Sequence, residues 1–217
     1  MAQLLTANVA TSMYWLGRYI ARVEATLYEI NKAYDLIIDV DKDAGVKLYK
    51  KFEIDLEYTN AIDFLDKSIR GDHSANLSTI LQNARENAII SREYIDELAF
   101  GEIIALNEMA QRTSKSDLRV DYQDIDYTLS LISEIWGAQT KRGHRKAGDY
   151  FLKLGKLVEE VDFRLRFNRK QAMTELILEE INATFKLLNP EINIKASDND
   201  DIMGDIYRQM DKLIVVD

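Results

Sequence analysis

The feature that most constrains this chain is a run of apolar residues near its N-terminus. Val9, Met13, Leu16, Ile20, Val23, Leu27, Ile30, Tyr34 and Ile37 follow one another in alternating steps of four and three. Only an α-helix gathers such positions into one stripe, and a stripe sustained over about four heptads has to be covered by other helices. Thr6 is the expected N-cap, and the acidic stretch Asp39 to Asp43 with Gly45 the expected stop. Punctuation is sparse elsewhere: nine Gly and one Pro in 217 residues leave too few turn signals for a sandwich or barrel. The chain reads as an all-α, antiparallel helical bundle of about six to eight helices, a single domain over residues 1–217.

Further helices follow from the same periodicity. Asn60 is placed to cap one through Ile69, and Ser74 or Asn76 to cap a longer one to about Met109, with a break near Gly101. The polar stretch Gln111 to Asp117 reads as a linker, and Ile125, Leu129, Ile132 and Trp136 as the apolar stripe of a helix over Asp124 to Gln139. A basic loop from Lys141 to Lys146 precedes a helix from about Asp149 to Phe167. Another runs from Lys170 to Leu188 and stops at Asn189-Pro190, since the residue before proline avoids the α region. An acidic loop, Ala196 to Asp201, leads to a last helix, Ile202 to Ile214.

Shifting the chain by 138 residues superposes two of these helices. Met13 falls on Phe151, Leu16 on Leu154, Gly17 on Gly155, Arg18 on Lys156, Ile20 on Val158, Val23 on Val161, Glu24 on Asp162 and Leu27 on Leu165. Amphipathicity explains the apolar matches but neither the glycine nor the acid, and a mid-helix glycine costs about 1 kcal/mol against alanine. The expectation is an internal pseudo-repeat, with motif copies near 13–27 and 151–165. Two readings fit it. Gly17 and Gly155 are helix-packing positions that bring Glu24 and Asp162 to a shared, half-buried polar site; or the glycines only permit packing and the acids make ordinary interhelical bonds.

A middle segment, 84–92, stands apart: Ala84-Arg85-Glu86-Asn87-Ala88, then Ser91-Arg92-Glu93. Arg85 and Glu86 are adjacent, so they are not expected to pair with each other; Arg85 shares its face with Ile89, which points to a buried or half-buried guanidinium, the other reading being a solvated charged face. The aromatics Tyr14, Trp15 and Tyr19 beside Arg18 and Arg22 read either as core or as the wall of a pocket. The candidate polar site therefore comprises Trp15, Arg18, Arg22, Glu24, Arg85, Glu86, Asn87, Lys156, Glu159 and Asp162, with no catalytic residue assigned.

Composition narrows the chemistry. Thirty-seven acidic against 28 basic residues give a net charge of -9, which repels phosphate backbones and anionic lipid, so neither nucleic acid nor membrane is an expected partner. With no cysteine, disulfides, thiolate metal sites and cysteine nucleophiles are excluded. The opening residues lack the basic start of a secretory signal, and no apolar run reaches membrane length, so the expected compartment is the cytoplasm. His73 and His144 have Arg70 and Lys141 three residues upstream, not the glutamates of a ferritin-like site. Asp39, Asp41 and Asp43 begin like a calcium loop, yet Ala44 and Lys50 occupy its glycine and final glutamate positions. No phosphate loop, nucleophile elbow or dinucleotide fingerprint is present; no metal and no cofactor is expected.

Residues 14–24, Tyr-Trp-Leu-Gly-Arg-Tyr-Ile-Ala-Arg-Val-Glu, together with the Ala-Arg-Glu-Asn-Ala core of 74–92 and the stretch 148–162, resemble the alpha-E family of bacterial all-helical proteins with a Glu-Arg signature. The resemblance covers most of residues 1–190. Each copy holds half of the signature: Ala21 stands where the first glutamate is expected and Arg22 is kept, whereas Glu159 is kept and Glu160 replaces the arginine. Arg22 and Glu159 complementing each other, or decay of an ancestral site, would both produce this. The resemblance implies a non-enzymatic accessory or scaffold protein whose partners are ATP-grasp ligase-like and transglutaminase-like enzymes of a peptide or amide-bond modification system. The alternative is an enzyme or small-ligand- or peptide-binding protein with an Arg/Glu pocket between the two motif helices. Homo-oligomerisation is open in both.

Overall fold

The N-terminal stripe forms the longest helix. In the computed structural model, which describes residues 5–141, 146–192 and 201–214, α1 spans Ala7–Asp39. The Thr6 hydroxyl accepts from the backbone N–H of Val9 at 3.3 Å, the expected cap. Met13, Leu16, Ile20, Val23, Leu27 and Ile30 are all buried, so the seam is covered along its middle two-thirds.

Eight further α-helices follow among the described residues: α2 Ala44–Lys50, α3 Ala61–Arg70, α4 Leu77–Ile90, α5 Glu97–Lys115, α6 Tyr122–Lys141, α7 Ala147–Arg166, α8 Gln171–Leu188 and α9 Ile202–Ile214. No strand occurs among them, and the fold is all-α as expected. The count exceeds six to eight for two reasons. Gly45 does not stop a helix: it lies buried inside the short α2, where a Cβ would press on Phe64 and its N–H donates to the Tyr58 hydroxyl at 3.0 Å. The expected long helix is broken not at Gly101, which sits inside α5 facing open space, but ten residues earlier. There α4 gives way to a 3-10 turn, Arg92–Tyr94, and Asp96 caps α5 by accepting from the N–H groups of Leu98 and Ala99.

Other boundaries agree with the sequence reading. Asn60 caps α3, Asn76 accepts from Thr79 N–H to cap α4, and Asp201 accepts from Gly204 N–H to cap α9. The Gln111 to Asp117 linker is shorter than expected, because α5 continues to Lys115. Residues 142–145 of the basic loop, including His144, and 196–200 of the acidic loop lie outside the described residues.

The chain divides into two compact units. One comprises residues 1–21, 87–94 and 143–217, and thus the start of α1, the end of α4, and α7, α8 and α9. Here α7 and α8 form a hairpin, with Phe151, Leu154, Val158 and Val161 of α7 and Ile177, Leu178, Ile181 and Phe185 of α8 all buried. The other comprises 22–86 and 95–142. Its hairpin is α5 with α6, and its α6 stripe is buried at Ile125, Leu129 and Ile132 while Trp136 is half-buried. No helix among the described residues is long and apolar enough to cross a membrane.

Candidate functional site

The two motif helices meet at their glycines. A Cβ on Gly17 would run into the carbonyl oxygen of Leu152 and lie 3.1 Å from the backbone nitrogen of Lys156. A Cβ on Gly155 would run into the carbonyl oxygen of Tyr14 and lie 2.9 Å from the backbone nitrogen of Arg18. The contacts are reciprocal under the same shift of 138 residues, since Tyr14 maps to Leu152 and Arg18 to Lys156. Glycine on both sides lets backbone touch backbone, which offsets its poor helix propensity.

That close approach places Arg18 in the interior, with 2% of its side chain exposed. Nε donates to Glu159 Oε2 at 2.7 Å, Nη2 to Asp162 Oδ2 at 3.0 Å and Nη1 to the Tyr207 hydroxyl of α9 at 2.9 Å. Glu159 is equally buried, and Asp162 also meets Arg166 one turn along α7 at 3.6 Å. The guanidinium carbon lies 5.4 Å from the Trp15 ring centre and 5.6 Å from that of Tyr207. Burial by itself would lower the arginine pKa; attraction to Glu159, with Tyr14 and Tyr207 adding, outweighs it and raises the pKa. The cation is permanent.

Tyr14 packs edge-on to Trp15 at 5.6 Å, and Trp15 stacks on Tyr19 at the same distance. Burial pushes the Tyr14 phenol up to about 12, offset in part by the nearby Arg18 charge. Its hydroxyl is buried beside the Arg18 guanidinium without a well-aligned hydrogen bond among the described residues.

Of the ten candidate polar residues, Trp15, Arg18, Asn87, Lys156, Glu159 and Asp162 fall in the first unit, and four of them, Trp15, Arg18, Glu159 and Asp162, converge directly. Arg22, Glu24, Arg85 and Glu86 fall in the second. Glu24 is half-buried and accepts from the indole N–H of Trp136 at 3.0 Å, so the acids read as equivalent by position take different partners. Arg85 contradicts the expectation that neighbours cannot pair: it meets Glu86 at 2.7 Å, because long, half-exposed side chains curl across the turn that separates their Cβ atoms. The Ile89 used to place it on an apolar face is itself exposed.

Tyr207 went unforeseen. Periodicity located α9, but a tyrosine 189 residues from Arg18 leaves no spacing signal. The second unit also holds a groove of about 850 Å³ with Tyr34, Ile38, Asn60, Arg70 and Arg119 in its wall; none of the candidate residues lines it. No group of three metal-ligating side chains occurs among the described residues.

Over residues 5–190 the sequence matches the family model Alpha-E, a predicted alpha-helical domain with a conserved ER motif. Comparison with curated proteins and with solved structures yields no match.

Proposed function

The chain belongs to the Alpha-E family, and from that premise we propose that it is a non-enzymatic helical accessory protein for an enzyme of a peptide or amide-bond modification system. The observation that carries this is the commitment of the buried charges. Arg18 commits three of its five N–H donors to Glu159, Asp162 and Tyr207, and a guanidinium so held neither takes nor gives a proton at neutral pH. The cluster then serves to hold α1 against α7 in one register, with Gly17 and Gly155 as the pivots of a duplicated helix pair. A ligand pocket between the motif helices at the level of Gly17 and Gly155 would need space where the two backbones touch.

The partner class, ATP-grasp ligase-like or transglutaminase-like, comes from the family resemblance. Co-expression of the chain with each such enzyme of its host, followed by size-exclusion chromatography, tests the proposal. A stoichiometric complex with one of them is expected. Elution of the chain apart from both contradicts it.

A further inference from the structure

Helix α9 is weakly anchored for its length. It buries Ile206 and Met210, whereas α7 buries eleven residues and α8 six. Tyr207, the residue that reaches Arg18, keeps 39% of its surface in solvent. Glu159 and Asp162 would still hold the guanidinium without α9, leaving Nη1 as an open donor beside the Trp15 ring.

Formal charges then decide what such a seat takes. Arg18 and Arg166 balance Glu159 and Asp162, so the seat as a whole is neutral, and a carboxylate or phosphate would meet two fixed carboxylates. A neutral acceptor on an aromatic ring suits both the free N–H and the flanking indole: an aryl hydroxyl. Apolar residues one before and three after it, as in Ile206-Tyr207-x-x-Met210, are the ones that α9 buries. Trp15, Arg18, Glu159 and Asp162 lie inside the family-matched stretch and α9 lies beyond it.

We propose that the Trp15–Arg18 surface is a recognition seat for a tyrosine-bearing amphipathic helix of a partner protein, and that α9 is a displaceable cap filling it in cis through Tyr207. This goes beyond the accessory role, and its test reads α9 and Arg18 whichever enzyme is the partner. In the full chain, Ile206→Asp, Tyr207→Ala and Met210→Asp together disarm the cap. A fluorescein-labelled peptide of residues 201–214 is then titrated against the disarmed and unmodified chains by anisotropy. The disarmed chain should bind at least about tenfold more tightly, and a Tyr207→Phe peptide should lose about tenfold. No binding by a disarmed chain that keeps the helical circular dichroism of α1 to α8 would overturn the proposal. So would a loss of helical signal well beyond the share of α9 itself, which would make α9 part of the core, and so would undiminished binding of a Tyr207→Ala peptide. A concentration-dependent dimer of the unmodified chain that disarming abolishes would seat a second copy's α9 there and overturn the cis arrangement.

Discussion

Arg18 on α1 and Arg85 on α4 each stand in a sequence segment marked for function, and each pairs with a glutamate at 2.7 Å. Arg18 is 2% exposed and its glutamate comes from α7; Arg85 is 36% exposed and its glutamate is the next residue. Equal distances hide unequal energies. An exposed pair exchanges water for a partner at little gain, about 0–1 kcal/mol. A buried pair is weak evidence of net stability, but breaking it strands a charge away from water. The difference therefore lies in what removal costs.

Glu159→Ala should have the largest effect, about 3–5 kcal/mol by chemical denaturation, because among the described residues Arg18 then keeps only Asp162 as an ionic partner. A loss under about 1 kcal/mol would put Arg18 in the class of Arg85. Next comes Gly155→Ala, expected to cost about 1–3 kcal/mol as α1 and α7 are forced apart at the Tyr14 carbonyl. Gly101→Ala, where nothing lies within 4 Å, is the control and should not destabilise.

Tyr14→Phe tests the cluster through pH. The phenol is neutral in both states below its ordinary value near 10; between 10 and about 12 the unfolded chain releases the proton while the folded chain retains it. Stability contributed by this group is thus lost as pH rises through that window. Phenylalanine should flatten the alkaline decline in urea midpoints, with the buried Tyr49, also raised by burial, retaining part of it. Arg85→Ala should move stability by less than about 0.5 kcal/mol.

Much of the fold was legible because helices write their burial into local spacing. The seam from Met13 to Ile30 is buried as its period required, and Thr6, Asn60 and the bounds of α9 were readable from capping and pattern. The break at Ser91 to Asp96 was missed because it holds no glycine or proline; Asp96 ahead of Glu97 was the available cap signal. At the site, the shared offset of Gly17 and Gly155 marks the positions where the two backbones approach, and Asp162 pairs with Arg18 of another helix. The Tyr207 contact and the Trp136 bond to Glu24 were not legible, since side-chain partners more than a hundred residues apart depend on the finished packing. Arg85 shows the converse, where a rule about Cβ directions failed for side chains long enough to bend.

Arg18 and Glu159 form one buried, mutually dependent pair. A double-mutant cycle on Arg18→Met and Glu159→Leu, measured by denaturation of the full chain, tests it most directly. Each single change should cost about 3–5 kcal/mol, and the double variant should cost less than their sum by a coupling on the order of 2 kcal/mol or more. Single losses below about 0.5 kcal/mol that simply add would contradict it.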